Sequence, residues 1–202
     1  MKIQTFYHGL LDSNAYIVYD EDSKECMIVD LGVSSYIVSK FIKNLSLTVK
    51  YLVLTHGHYD HANYIGDYVK LYPNAKIICH KDEIMVLSDP DANVARLLGE
   101  DCVYIYDYTT VSHGDILSLG DTEFKVLNFP GHTPGCICLL DEKSKVMLTG
   151  DVIFAQGIGR TDFKYGNYEE MKVSLRQIAK MDRDIVIYPG HGETATLRSI
   201  FG

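Results

Sequence analysis

The sequence predicts a mixed α/β fold, in which strands and helices both contribute to the core. Short apolar runs rich in β-branched residues recur in both halves of the chain, and such runs are typical of buried strands. Residues 35–45 instead place their apolar side chains at helical spacing. With 202 residues, of which 47% are hydrophobic and 23% charged, the chain fits one soluble globular domain over 1–202.

The first half of the chain alternates predicted strands with predicted helices. Strands are predicted over 2–7, 15–20, 25–30, 51–54 and 75–79. The run Asp20–Lys24 forms the turn between the second and third of them. A helix follows from Ala62 to Tyr72, where Pro73 ends it. The irregular residues 83–98 are predicted to form a helix and a loop close to the functional site.

The second half is predicted to be richer in strands. These fall near 103–107, 115–119, 122–129, 136–140, 145–149 and 185–188. Asn167 is a plausible N-cap for a helix that runs to about Met181. Glu169 and Glu170 would then lie in the first turn, where their negative charges interact favourably with the helix dipole. A short helix is expected after Glu193.

The most informative segment is Thr55-His56-Gly57-His58-Tyr59-Asp60-His61, directly after the apolar run 51–54. Three imidazoles and one carboxylate within six residues are expensive to bury without a partner. Divalent transition metals bind this mixture of nitrogen and oxygen ligands. The alternative is a solvated histidine-rich loop, but the spacing H-x-H-x-D-H favours two metal ions held close together.

Three further ligand-type residues follow predicted strands in a similar way. His132 follows Pro130-Gly131, Asp151 follows Gly150, and His191 follows Pro189-Gly190. Each glycine turn ends its strand and leaves the side chain at the strand's carboxyl end. Because open sheets bind ligands at that edge, we expect these residues to join the first cluster.

These motifs resemble those of the metallo-β-lactamase superfamily, and the likeness covers nearly the whole chain. Within that superfamily the chain is most similar to short glyoxalase II-like hydrolases, through Asn14–Val18, Gly159–Phe163 and Pro189–Thr194. The resemblance implies a four-layer αββα sandwich, with two mixed β-sheets flanked by helices. Full-length glyoxalase II has an added C-terminal helical domain that helps to grip glutathione. This sequence ends soon after its last motif. We therefore expect a thioester substrate, and the thiol that it carries can be glutathione or another thiol.

The resemblance also implies a ligand assignment. His56, His58 and His132 would hold the first metal, Asp60, His61 and His191 the second, and Asp151 would bridge them. We expect two Zn²⁺ ions per chain, with iron or manganese as alternatives at one or both sites. Such a pair polarises a shared water, and the bridging hydroxide attacks the carbonyl of a hydroxyacyl thioester such as S-lactoylglutathione. Asp60 is the residue we assign to catalysis.

Other chemistries remain open on the same fold. Gly159–Phe163 also occurs in persulfide dioxygenases, which would use one iron and fewer ligands. A hydrolase of another ester, thioester or lactone fits the same ligands. A β-lactamase is less favoured, because the motif loops lack a cysteine ligand. A non-catalytic scaffold has little reason to keep seven ligands.

Two residues are candidates for substrate contact. Arg160 stands where glyoxalase II-like enzymes place a basic residue near the substrate's carboxylate, and an internal ion pair with Asp162 is the alternative. Tyr165 is predicted to line the pocket.

Charge and composition limit the classes of molecule that this protein is expected to bind. The net charge of −8 argues against nucleic acid, and no apolar stretch is long enough for a signal peptide core or a membrane span. Five cysteines, mostly within strand-like runs, fit buried thiols in a reducing compartment. We therefore expect a cytoplasmic enzyme that acts on a small molecule, and the sequence leaves its oligomeric state open.

Overall fold

Two six-stranded sheets pack face to face in the structure, a computed structural model that describes residues 1–202. The first sheet takes its strands in sequence order: β1 (Lys2–Phe6), β2 (Ala15–Tyr19), β3 (Glu25–Val29), β4 (Thr48–Val53), β5 (Lys76–His80) and β6 (Tyr108–Val111). Strands β1 to β3 are antiparallel, and β3 to β6 are parallel. Crossover segments separate the parallel strands, as parallel pairing requires.

The second half of the chain supplies eight strands. They are β7 (Ile116–Leu119), β8 (Thr122–Asn128), β9 (Ile137–Asp141), β10 (Val146–Gly150), β11 (Ile153–Phe154), β12 (Gly157–Ile158), β13 (Val186–Pro189) and β14 (Ala195–Thr196). Six of them form the second sheet in the order β14-β13-β10-β9-β8-β7, and β11 pairs only with β12. Only the β10–β13 pair is parallel in this sheet, so both sheets are mixed.

Helices cover the outer face of each sheet. They are α1 (Ser35–Leu45), α2 (Tyr59–Ala62), α3 (Ile65–Leu71), α4 (Ile84–Leu87), α5 (Tyr168–Ile178) and α6 (Leu197–Phe201). The longest have 11 residues, and none is long and apolar enough to cross a membrane. Val38 of α1 and Tyr68 of α3 pack on the first sheet, whereas Met171 of α5 and Leu197 of α6 pack on the second.

A central apolar layer joins the two sheets. Val18, Val29 and Val53 of the first sheet meet Phe124 and Leu139 of the second, and all five are fully buried. Alternate strand residues point to opposite faces, so each sheet can bury one face here and the other under its helices. The result is helix, sheet, sheet, helix, which confirms the predicted αββα sandwich.

Two predicted elements are wrong in detail. The predicted strand over 103–107 is not a strand, and the neighbouring run Tyr108–Val111 forms β6 instead. Only the second run meets the free edge of β5, from the Ile77–Tyr108 pair to the His80–Val111 pair. Both runs have β-forming side chains, so local preference does not choose between them.

The predicted helix from Ala62 to Tyr72 is two short helices, α2 and α3. Leu31 interrupts them, because its N–H donates to the carbonyl of His61 at 2.7 Å and its carbonyl accepts from Tyr64 N–H at 3.1 Å. These backbone groups would otherwise pair within one continuous helix. The helix after Asn167 is present, and it ends at Ile178 rather than near Met181.

Candidate metal centre

All seven predicted ligands lie at one edge of the sandwich, beyond the carboxyl ends of four strands. His56 and His58 follow β4, Asp60 and His61 lie in α2, His132 follows β8, Asp151 follows β10, and His191 follows β13. Six of them are buried, and His191 is partly exposed. The structure therefore brings together every residue of the predicted ligand set, although the ligand roles themselves stay predictions.

The ligand atoms fall into three groups, within each of which they lie no more than 4.8 Å apart. The groups are His56–His58–His132, Asp60–His61–His191 and His56–His61–Asp151. The first two match the two predicted metal positions. Asp151 lies between them, since its Oδ2 is 3.5 Å from Nε2 of His132 and its Oδ1 is 3.5 Å from Nε2 of His61.

Hydrogen bonds at Nδ1 turn the Nε2 lone pairs of three histidines toward the centre. His132 Nδ1 donates to the carbonyl of Arg160 at 2.7 Å, and a carbonyl can only accept. His61 Nδ1 donates to Asp30 Oδ2 at 3.0 Å, and His56 Nδ1 lies 3.1 Å from Thr55 Oγ1. Metal-binding imidazoles are commonly held in this way, with the outer N–H given to a carboxylate or carbonyl.

The centre contains polar atoms that protein groups leave unsatisfied. Nε2 of His56, His58 and His132 and Oδ1 of Asp151 are buried without a hydrogen-bond partner. Nε2 of His61 and of His191 lie 3.2 Å apart, and both approach Asp60 Oδ2, at 3.5 and 3.2 Å. Buried polar atoms are rarely left unpaired. Divalent cations fit this donor set and would satisfy these atoms.

The local electrostatics favour a positive charge in the same place. Burial acts to lower the pKa of His61, but Asp60, Asp151 and Asp30 outweigh it and raise the pKa to about 10. Burial acts to raise the pKa of Asp60, but His61 and His191 outweigh it and hold the pKa below its ordinary value. The centre would thus hold a proton when metal-free, and a divalent cation can take its place.

For the histidines of the first group, burial prevails and the net pKa shift is downward. Burial lowers the pKa of His56 and His58, and neighbouring imidazoles add to the effect. Burial also lowers the pKa of His132. All three are therefore neutral at physiological pH, which is the form that binds metals.

Asp30 supports two of the three histidines in the His56–His61 segment, His61 directly and His56 through Thr55. Its Oδ2 accepts from His61 Nδ1, and its Oδ1 accepts from the backbone N–H and the hydroxyl of Thr55, both at 2.9 Å. Asp30 has φ of 60° and is 1% exposed. Its carboxylate therefore helps to hold both rings in the orientation that a bound metal would need.

Glu83 connects two loops that carry ligands, and no local sequence pattern marks it for this role. Its Oε2 accepts from Gly57 N–H at 2.6 Å, and its Oε1 accepts from Thr133 Oγ1 at 2.6 Å and Gly135 N–H at 2.7 Å. Glu83 is fully buried, and burial raises its pKa to about 7 while the three hydrogen bonds oppose that rise. In the sequence it ends Lys81-Asp82-Glu83, a run that looks solvent-exposed.

Both glycines are needed for this close approach. A Cβ at Gly57 would lie 2.9 Å from Glu83 Oε2, and one at Gly135 would lie 2.8 Å from Glu83 Cγ. Real Cβ atoms essentially never come so close, so a side chain at either position would displace the carboxylate.

Asn14 fixes the loop of His191 in a comparable way. Its Nδ2 donates to the carbonyls of Pro189 at 3.0 Å and Gly192 at 2.9 Å, on either side of His191. Tyr16 adds a hydroxyl donor to the Pro189 carbonyl at 2.6 Å. The sequence marked Asn14 only through a resemblance, because its partners lie more than 170 positions away along the chain.

The two predicted substrate residues behave differently. Arg160 borders the cavity over the ligands but pairs with Asp162, with Nε to Oδ1 at 2.7 Å and Nη2 to Oδ2 at 2.8 Å. Tyr165 does not line that cavity, and the ammonium of Lys164 lies 5.3 Å from its ring centroid. Substrate contact by either residue stays a prediction.

The five cysteines contribute no ligand atom to the three groups. All are free thiols, and four are buried. Burial raises the pKa of Cys26 and of Cys79 to about 12. These thiols are packing residues, as the sequence predicted.

Several known proteins are similar to this chain over nearly its whole length. A hydroxyacylglutathione hydrolase GloC of Haemophilus influenzae is 34% identical over 202 residues, covering 98% of this chain and 93% of its own. A probable metallo-hydrolase YqgX of Bacillus subtilis is 29% identical, covering 95% and 90%. The crystal structure of the BLEG-1 B3 metallo-beta-lactamase superposes with a TM-score of 0.89 at 28% identity, covering 98% and 95%.

The sequence pattern of one family spans most of the chain. It matches residues 8–191, a range that contains all seven predicted ligands. Together with the αββα sandwich and the buried histidine–aspartate centre, this match shows that the chain belongs to the Metallo-beta-lactamase superfamily.

Proposed function

We propose that this protein is a binuclear metal-dependent hydrolase that cleaves a hydroxyacyl thioester. The observation that carries the proposal is the position of Asp151 between two complete ligand groups. A site for one metal would need only one of these groups. The name of the Haemophilus influenzae relative, a hydroxyacylglutathione hydrolase, supports the thioester as substrate.

In this proposal each ion has its own set of donor atoms. His56, His58 and His132 would hold one, Asp60, His61 and His191 would hold the other, and Asp151 would contact both. Imidazole and carboxylate ligands suit zinc, with iron or manganese as alternatives. Two bound cations would bring the pKa of a water molecule down to about 7 and polarise the carbonyl that it attacks.

The chain's own residues orient and shield the reaction. Asp30, Thr55 and the carbonyl of Arg160 fix three imidazole rings, so the ligands are preorganised. The cavity above them holds about 230 Å³, enough for the acyl group and the adjoining thiol carbons of a small thioester. The leaving thiol has an ordinary pKa of about 8.5 and departs with little protonation, so the site needs no dedicated general acid.

The experiment compares two thioesters that share one acyl group. Purified protein reconstituted with zinc is given S-D-lactoylglutathione and S-D-lactoyl-N-acetylcysteamine, with nitrocefin as a β-lactam comparison. We expect hydrolysis of at least one thioester, and its loss in Asp60→Ala. Asp67→Ala is the matched control, because Asp67 is an exposed carboxylate on α3.

Failure to hydrolyse either thioester would contradict the proposal. Oxygen uptake with a persulfide, by protein containing one iron, would instead establish the dioxygenase alternative. Hydrolysis of nitrocefin alone would establish a β-lactamase.

A further inference from the structure

The wall of the metal cavity is apolar on both sides of the ligand cluster. Phe163 packs edge-on against His58, with ring centroids 5.6 Å apart, and Phe154 packs edge-on against His191 at 6.0 Å. Leu11, Val94 and Leu98 complete this wall from two other loops. A substrate that reaches the metals therefore passes between hydrocarbon surfaces.

Two of these wall residues have an unfavourable backbone conformation. Leu11 has φ of 56° and Val94 has φ of 60°, in the left-handed region that glycine and asparagine tolerate and bulky residues avoid. Strain of this kind persists where the surrounding structure enforces it, and it concentrates at ligand-binding sites. The apolar side chains are thus held toward the cavity at a cost to the backbone.

The cations near the cavity are already paired. Arg160 holds Asp162 through two hydrogen bonds, and its guanidinium stacks 3.9 Å from the ring centroid of Phe163. Lys164 holds Asp89 at 2.5 Å. Arg96 bridges Asp91 at 2.6 Å and Asp101 at 3.0 Å.

The surrounding loops also carry an excess of negative charge. Segments 7–13, 89–101, 154–165 and 191–194 contain seven aspartates and glutamates against these three cations. A substrate carboxylate at this rim would meet no free cation and several like charges, and like charges in contact disfavour binding.

We propose that the thiol portion of the substrate is uncharged and apolar, and that ionised peptide thiols such as glutathione bind poorly. This inference rests on the proposed thioesterase function and names the thiol class for that same site. Water adds to the acyl carbon and the C–S bond breaks. The departing thiolate then takes up the proton that the new carboxyl group releases, so the products are a hydroxy carboxylate and an uncharged thiol. The wall of Leu11, Val94, Leu98, Phe154 and Phe163 receives that thiol.

The test holds the acyl group constant and varies the thiol. S-D-lactoyl esters of glutathione, N-acetylcysteamine and 1-butanethiol are compared, each normalised to its rate of hydrolysis by free hydroxide. We expect kcat/KM for the two neutral thioesters to exceed that for the glutathione thioester by at least about tenfold. The lack of one hydrogen bond to a charged group changes binding by about this factor or more.

A variant makes the prediction specific to the paired arginine. Asp162→Asn releases Arg160, so kcat/KM for the glutathione thioester should rise at least about threefold while the neutral esters stay unchanged. Asp184→Asn is the control, because it removes the carboxylate that pairs with Arg198 at 2.7 Å, in an exposed ion pair near the start of β13.

The outcomes separate this inference from the function on which it rests. Equal or better hydrolysis of the glutathione thioester would overturn the inference and leave the thioesterase proposal intact. An Asp162→Asn variant whose kcat/KM for the glutathione thioester does not rise would also overturn the inference. Loss of all thioester hydrolysis would overturn both.

Discussion

The carboxylate of Glu83 accepts a 2.6 Å hydrogen bond from the backbone N–H of Gly57, between the metal-site residues His56 and His58. Its other oxygen holds Gly135, in the loop of His132. One buried side chain thus sets the distance between the two loops that form the first ligand group. No histidine of that group contacts Glu83 through a side-chain hydrogen bond, so its influence passes through the backbone.

Replacing Glu83 with Gln should loosen these loops. The three groups around the carboxylate all donate, so the Gln NH₂ must face a backbone N–H and leave it unpaired. We expect a loss of about 1–3 kcal/mol in the free energy of unfolding and weaker zinc binding. Urea unfolding of the metal-free protein and competition with a chromophoric chelator measure the two effects. Glu123→Gln, at an exposed strand position, is the control. If both variants have the same free energy of unfolding and the same zinc affinity, Glu83 does not hold the two ligand loops.

Replacing Asp30 with Asn tests the support behind His61. Asn tolerates the φ of 60° at this position, so the backbone should be unaffected. The amide cannot accept from both Thr55 and His61 as the carboxylate does. We expect metal affinity to fall about 10- to 100-fold, as for other partners of metal-binding imidazoles. Asp121→Asn, in an exposed turn, should bind metal normally. Unchanged affinity in Asp30→Asn would show that the contact is dispensable.

Leu11 offers a test of backbone strain at the cavity. Leu11→Asn should raise the free energy of unfolding by about 1 kcal/mol, because asparagine relieves the left-handed strain and Leu11 is already 58% exposed. The same change should lower kcat/KM for S-D-lactoyl-N-acetylcysteamine. Lys24→Asn, at φ of 60° in a hairpin turn, should stabilise without affecting turnover. If Leu11→Asn is stabilised but keeps full turnover, the Leu11 side chain does not contribute to substrate binding.

Metal removal should destabilise the protein. Four buried atoms at the centre have no partner in the protein, and a bound cation would satisfy them. Zinc at 100 times its dissociation constant should stabilise the metal-free protein by about 2.7 kcal/mol. Thermal unfolding with and without a chelator measures this difference. Calcium, which prefers oxygen ligands, should not replace zinc. Identical unfolding in both conditions would mean that no ion binds the folded centre.

Most of the strands and helices, and all the histidines of the predicted ligand set, could be predicted because short sequence patterns mark them. Three of the four strands before a ligand end in a glycine turn, and such a pattern is visible in a short window such as Pro189-Gly190-His191. The αββα arrangement came from the resemblance that these motifs carry. The break between α2 and α3 was not predictable, because Leu31 imposes it from another part of the chain.

The residues that support the ligands could not be predicted either, because their partners lie in distant segments of the chain. Glu83 lies within a charged run and acts on loops about 26 and 52 positions away. Asn14 reaches the loop of His191 from the other end of the chain. Val103–Asp107 has the alternation of a strand, but only Tyr108–Val111 meets the edge of β5. Contacts between distant segments decide all of these cases, and no local pattern records them.

The most direct test of the account is the number of metal ions at the centre. Crystals grown with zinc should show two anomalous peaks. One should lie about 2.0–2.1 Å from nitrogens of His56, His58 and His132. The other should lie at a similar distance from His61 and His191, with Asp60 as its carboxylate ligand and Asp151 in contact with both ions. A single peak at full zinc occupancy, or peaks away from Asp151, would contradict a binuclear hydrolase.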